Sequence, residues 1–226
     1  MSCFTRCCSA LQLVLTPYDI LRMKQRLRIS SDRFLESYTE TRIDRHPRFP
    51  MVFLRMNDDP DRTCPFVSPR GCTVYEDRPG ACRIYPLARA AQRSPLGEDT
   101  KEKFFFVKEK HCRGFEEKRL WSVESWVSDQ GLASYNEMND QWLEIISSPQ
   151  SLGPKADIPR KLQMYFMVSY NLDNFRNFVF KSRFFQRFQV PDSVKVRMEQ
   201  DDAALMSFGF QWLKFSLFGL PTMKTS

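Results

Sequence analysis

A chain of 226 residues, 42% hydrophobic and with only eight glycines, has the composition of a folded globular protein and not of a disordered one. Lys and Arg number 34 against 27 Asp and Glu, an excess that suits an anionic partner or serves solubility alone. The seven cysteines are odd in number, the chain is long, and its start lacks a basic region followed by an apolar one, which argues against a secreted disulfide framework; no apolar run of roughly eighteen residues exists to span a membrane.

In chain order, the first nine residues hold Cys3, Cys7 and Cys8. An adjacent cysteine pair in so polar a setting is poorly explained by core packing, so Cys7 and Cys8 are candidate metal ligands and Cys3 reads as an incidental thiol. Leu13-Val14-Leu15 reads as a short strand. A helix follows, with Thr16 as N-cap, Pro17 at the first helical position and Asp19 near the positive end of the dipole. Ser30-Ser31-Asp32 caps a second helix carrying Phe34, Leu35 and Tyr38. Residues 51–56 form a β-prone run, Asn57 to Pro60 a turn, and a hairpin there would deliver Cys64.

From Cys64 to Pro86 three cysteines, Cys64, Cys72 and Cys82, alternate with Pro65, Pro69, Gly71, Pro79, Gly80 and Pro86. These residues rule out a long helix and favour fixed turns that aim side chains at one point. Soft thiolates converging in this way suit a metal. A charged loop is expected over residues 92–103, then a strand, Phe104 to Val107, that delivers Cys112 before the Gly114 turn.

Ser122 starts an amphipathic helix; its capping box reads as incomplete, because Ser125 and not Glu stands three residues on. Ser134 to Ile146 is helical by periodicity, and the proline- and glycine-rich residues 147–159 form a linker. The last third is rich in phenylalanine and expected to form helices over 161–180, 184–188 and from Asp192 or Ser193 to about Leu217. Phenylalanines at three- and four-residue spacing build a helix–helix core; the competing reading, bases stacked beside Arg176, Lys181, Arg183 and Arg187, is the weaker.

The spacing from Cys7 is C-C-x55-C-x7-C-x9-C-x29-C, which matches neither a zinc ribbon or finger nor the ferredoxin patterns. Four to six thiolates from separate segments still suit an iron–sulfur cluster or a closed zinc site, and thiolates alone do not choose between them. No G-x-G occurs, so neither a dinucleotide fingerprint nor a P-loop is present, and two histidines are too few for a His-rich catalytic site. His111 beside Cys112 is a candidate to ligate or hydrogen-bond a cluster, with a surface role the favoured reading. Arg78 and Arg83 flank Cys82, and Arg113 follows Cys112; such cations either offset thiolate charge or pair with Glu76 and Asp77. Tyr75 and Tyr85 are candidates to donate hydrogen bonds to sulfur or to shield the site.

The ordered string Cys7-Cys8, Leu15-Thr16-Pro17-Tyr18-Asp19-Ile20, Cys64-Pro65-Phe66, Gly71-Cys72-x-Val74-Tyr75-x-x-Arg78-Pro79-x-x-Cys82-Arg83-x-Tyr85-Pro86 and Cys112-x-Gly114 resembles the YkgJ-type cysteine-cluster family of zinc- or iron-chelating domains, which includes flagellin lysine N-methylase. The resemblance covers residues 4 to about 145. It implies a bacterial, cytoplasmic protein that holds an iron–sulfur cluster, or a zinc or iron ion, as a redox or structural module. The alternative it implies is a metal-dependent protein lysine N-methylase using S-adenosylmethionine. Family members carry further cysteines ahead of the Cys-Cys pair, where this chain has Phe4 with Cys3 out of register, and the methylases have C-terminal cysteines that this chain lacks.

The resulting expectation is a mainly helical α+β protein. Residues 1–120 fold around a site ligated by Cys7, Cys8, Cys64, Cys72, Cys82 and Cys112, and residues 121–226 form a helical region packed on it. Whether the protein is an enzyme stays open. The expected partner is a protein with an acidic surface, not a nucleic acid.

Overall fold

The computed structural model describes residues 3–93 and 100–226. Helix α1 (Pro17–Leu27) opens on a complete capping box: the Asp19 N–H donates to Thr16 Oγ1 at 3.3 Å, and Asp19 Oδ2 accepts the Thr16 N–H at 2.8 Å. Helix α2 (Ser31–Tyr38) is capped by Ser30, whose hydroxyl accepts the Arg33 N–H at 3.2 Å. Strands β1 (Thr39–Arg42) and β2 (Met51–Leu54) pair antiparallel, with Thr39 opposite Leu54. Leu13 to Leu15 forms a bridge and no full strand: Val14 lies opposite Phe53, and the Leu15 N–H donates to the Val52 carbonyl at 2.9 Å.

Three short elements follow, β3 (Val67–Ser68), β4 (Gly71–Cys72) and helix α3 (Gly80–Ile84), and then the antiparallel hairpin of β5 (Leu87–Arg93) and β6 (Thr100–Phe106). This hairpin corrects the expected loop. Residues 92, 93 and 100–103 are strand, and 94–99 lie outside the described residues. The Ala- and Arg-rich β5 has weak strand propensity, and its pairing with β6 overrides that.

The rest is helical: α4 (Val123–Asp129), α5 (Ala133–Ile146), α6 (Ile158–Tyr170), α7 (Leu172–Lys181), α8 (Phe184–Arg187), α9 (Asp192–Gln200) and α10 (Asp202–Phe218). The α4 capping box is complete after all, because the Ser125 hydroxyl accepts the Ser122 N–H at 3.0 Å as a carboxylate would. Two helices expected to be continuous are broken. The Asn171 side chain caps α7 by accepting the Asn174 N–H at 3.3 Å, and Asp201 caps α10 by accepting the Ala203 N–H at 2.8 Å. The architecture is mainly helical α+β, and no described helix is long and apolar enough to cross a membrane.

One buried cluster contains Leu15, Met23, Phe34, Val52, Ile145, Tyr165, Phe175 and Phe210, so both ends of the chain contribute to it. The phenylalanine periodicity of the last third accordingly serves packing: Phe175, Phe184 and Phe210 are buried. Helix α10 approaches α6 and α7 closely at Gly209, where a Cβ would stand 2.7 Å from Val168 and 2.8 Å from Phe175.

A polar tie joins the two halves. Lys24 on α1 is buried, and its Nζ lies 2.7 Å from Asp173 Oδ1, while Asp173 Oδ2 accepts the Ser31 N–H at 2.6 Å. Burial alone would raise the Asp173 pKa; the hydrogen bonds from Lys24 and Ser31, with the charge of Lys24, outweigh it and hold the carboxyl below its ordinary range. A depressed carboxyl pKa contributes stability that is present above the unfolded value of about 3.9 and is lost as pH falls through the folded one. Asp173→Asn is therefore expected to lower stability at neutral pH by about 2 kcal/mol, since it removes the nearer carboxylate of buried Lys24 and leaves only Asp202 at 4.0 Å. Thermal melts from neutral to acid pH check this: the gap between wild type and variant should close as pH falls below the ordinary carboxylate range.

Candidate metal centre

Backbone pairing brings the first thiols together. The Cys64 N–H donates to the Cys8 carbonyl at 2.8 Å, the Ala10 N–H donates to the Arg62 carbonyl at 2.9 Å, and Ser9 bridges antiparallel to Thr63. Residues 8–10 thus lie along residues 62–64, and Cys8 sits beside Cys64 despite the 55 residues between them. Cys72 comes from the β3–β4 hairpin, where it faces Val67, and the Val67 N–H closes a turn onto the Cys64 carbonyl at 3.0 Å. Gly71 at the hairpin turn has φ 110°, and the Phe4 ring lies over it, 2.9 Å from where a Cβ would be.

Cys82 sits on α3, and Asp19 places that helix. The Gly80 N–H donates to Asp19 Oδ1 at 2.8 Å, while Oδ2 caps α1. The carboxylate is 1% exposed, and its burial raises its pKa against these hydrogen bonds. The sequence identified Asp19 only as a helix-start residue; its bond to Gly80 spans 61 residues and has no local signal.

Arg78 offsets thiolate charge at Cys72, as one sequence reading has it, but the hydrogen bonds of Arg78 and Arg83 go elsewhere than to the Glu76 and Asp77 carboxylates. Arg78 donates to the Tyr75 carbonyl and to Gln130 Oε1, both at 2.6 Å, and its guanidinium stacks over Tyr75 at 3.9 Å. Arg83 donates to the carbonyls of Arg78 (3.1 Å), Gln130 (2.8 Å) and Glu76. Asp77 is taken instead by Arg22, at 2.5 and 3.0 Å. Both arginines therefore stitch the backbone around α3 to the end of α4. Tyr75 is exposed beneath Arg78 and does not shield the sulfurs. Arg113 pairs with Glu116.

Cys112 belongs to a second group. Burial first, and then Cys112 and Glu109 beside it, push the Tyr85 hydroxyl well above the ordinary tyrosine range. Tyr85 Oη and Glu109 Oε2 each lie 3.4 Å from His111 Nε2, and the Tyr85 and His111 rings stack at 6.3 Å. Cys3 joins this group: its Sγ accepts the Arg113 N–H at 3.4 Å. His111 is thus a member of a defined cluster and no mere surface residue.

Electrostatics link the remaining five thiols through Cys7. Its charge raises the pKa of Cys8, Cys64, Cys72 and Cys82 alike. Cys7 itself is exposed, and its pKa is lowered to about 6, first by the hydrogen bond from Cys8 and further by His111; burial opposes this. Cys8 rises correspondingly, because its proton is the one shared. Burial comes first among the causes that raise Cys64, Cys72 and Cys82, although Arg78 acts the other way on Cys72. The set carries one thiolate easily and resists the next, the situation in which a bound cation replaces protons. This donor chemistry fits zinc or iron. Among the described residues, however, no three Cys, His, Asp or Glu side chains stand close enough to enclose a single ion as placed.

A family model described as "putative zinc- or iron-chelating domain", with the signature CxxCxxCC, matches residues 1–113. No curated protein and no solved structure matches the chain. In register with that signature, Cys7 and Cys8 supply the closing pair, and Phe4 and Met1 occupy its two earlier cysteine positions.

Two measurements probe this geometry. Asp19→Ala should destabilise the fold by roughly 2–4 kcal/mol, since it removes a capping partner and strands the buried Gly80 N–H; denaturant titration reads it. Limited alkylation of metal-free protein, followed by peptide mass mapping, should modify Cys7 first, at a rate rising through about pH 6, with the half-buried Cys82, whose thiol is pushed well up, last.

Proposed function

The chain belongs to the family of zinc- or iron-chelating CxxCxxCC domains, and we propose that its thiols hold an iron–sulfur cluster serving as a structural or electron-carrying centre. What favours a cluster over a single ion is how the thiols are grouped among the described residues. Cys7 lies within electrostatic reach of Cys8, Cys64, Cys72 and Cys82, yet among the described residues no three ligand side chains stand as a single-ion shell. Four sulfurs around one zinc stand only about 3.8 Å apart, given a Zn–S distance of about 2.3 Å. A cluster interposes iron and sulfide between its thiolates and so accepts ligands held farther apart.

When bound, such a cluster supplies one-electron transfer. The residues of the chain do the rest. Cys64, Cys72 and Cys82 are half-buried against the apolar core, which limits water at the sulfurs. Arg78 offsets negative charge at Cys72, and Asp19 holds α3 so that Cys82 faces the other thiols. Five candidates for four positions leave Cys7 and Cys8 to divide one between them. Cys112 stays with Tyr85 and His111 in this reading.

Protein purified without oxygen is expected to contain iron with matching acid-labile sulfide and a broad visible absorption band. Stoichiometric zinc without sulfide would overturn the cluster. Cys64→Ser and Cys82→Ser should each lose the iron and lower the melting temperature, because binding energy at such a site is folding energy. Cys112→Ser should keep the iron; its loss there, with retention in Cys82→Ser, would refute the ligand set.

A further inference from the structure

Four of the eight large apolar side chains that stand exposed among the described residues fall between residues 105 and 120: Phe105 (53% exposed), Phe106 (69%), Phe115 (41%) and Leu120 (94%). Phe106 and Phe115 meet edge to face at 5.8 Å, and the Lys108 ammonium lies 5.7 Å from the Phe115 ring. Along β6, Lys101, Lys103 and Phe105 share one face, opposite Gln92, Ala90 and Ala88 of β5. That face offers small side chains and lysines with no apolar cover.

The charge around these rings is predominantly positive: seven Lys and Arg stand against four Glu between residues 101 and 119, and of the four only Glu117 has no ion-pair partner among the described residues. Glu102 is held by Arg89, Glu116 by Arg113, and Glu109 lies against His111. Lys101, Lys103, Lys108, Lys110 and Lys118 are exposed and have no ion-pair partner among the described residues. The segment therefore combines bare phenyl and leucyl groups with unneutralised ammonium groups. Neither a purely apolar nor a purely ionic partner matches that combination.

We propose that the β6 end of this hairpin and the loop after it dock on an anionic lipid surface. Phenyl and leucyl groups that enter the headgroup boundary, with lysines flanking them, are the composition of an interfacial membrane contact. A protein partner fits less well, since lysine is depleted at protein–protein interfaces. A nucleic acid leaves Leu120 unexplained, because a leucine has no ring face on which a base can stack. Cys112 lies within this loop and Cys3 against it at Arg113, so docking brings the Tyr85–His111 cluster to the membrane surface.

Sedimentation of the full chain with vesicles tests this. Binding is expected to vesicles of phosphatidylcholine mixed with phosphatidylglycerol, weakening as salt is added, and not to phosphatidylcholine alone. The Lys108→Glu/Lys110→Glu/Lys118→Glu variant should bind at least about tenfold more weakly, since each basic residue at such a surface contributes roughly fivefold. Phe106→Ser/Phe115→Ser should also weaken binding while leaving its salt dependence in place. All these positions are exposed, and an unchanged melting temperature confirms that the fold is intact; if either combination melts early, Lys118→Glu alone carries the test, with about a fivefold loss expected. No binding to anionic vesicles, equal binding by the charge-reversed protein, or binding to a single-stranded oligonucleotide in place of vesicles overturns the proposal.

Discussion

One carboxylate stands between the scaffold and the thiols. Asp19 closes the first turn of α1 with one oxygen and receives the Gly80 N–H with the other, and it is buried while doing so. A buried carboxylate is costly unless its oxygens are occupied, so both contacts are needed together. The result is that the start of α3, and with it Cys82, is indexed to the helix that also carries Lys24 into its tie with Asp173. Arg83 completes the frame by donating to carbonyls on both sides of α3.

Within that frame the thiols oppose one another. Each added negative charge raises the cost of the next, and burial adds to it at Cys64, Cys72 and Cys82. Cys7 escapes because it is exposed and receives a hydrogen bond from Cys8. A cation resolves the conflict by replacing protons, which makes the cluster of thiols meaningful as a metal site.

Local rules were legible where the deciding atoms lie within one turn. Thr16, Ser30 and Asp19 mark the starts of α1 and α2 because cap and partner are three residues apart. The same logic was available at Ser122, Asn171 and Asp201, where hydroxyl, amide and carboxylate side chains cap helices that periodicity alone ran on or left uncapped. The β5–β6 hairpin was not legible. Leu87-Ala88-Arg89-Ala90-Ala91-Gln92-Arg93 has little strand character, and only its partner strand makes it one.

The cysteine inventory, the proline and glycine punctuation around Cys64 to Pro86, and hence the family and a thiolate metal site, follow from the sequence by itself. They depend on residue type and short spacing alone. Which thiols neighbour one another was decided by tertiary structure. Cys8 meets Cys64 through backbone pairing across 55 residues, and Cys112 is drawn instead to Tyr85, His111 and the neighbourhood of Cys3. Separation along the chain carries no information about such pairings, because closing a long loop costs little more than closing a short one and packing elsewhere selects among them.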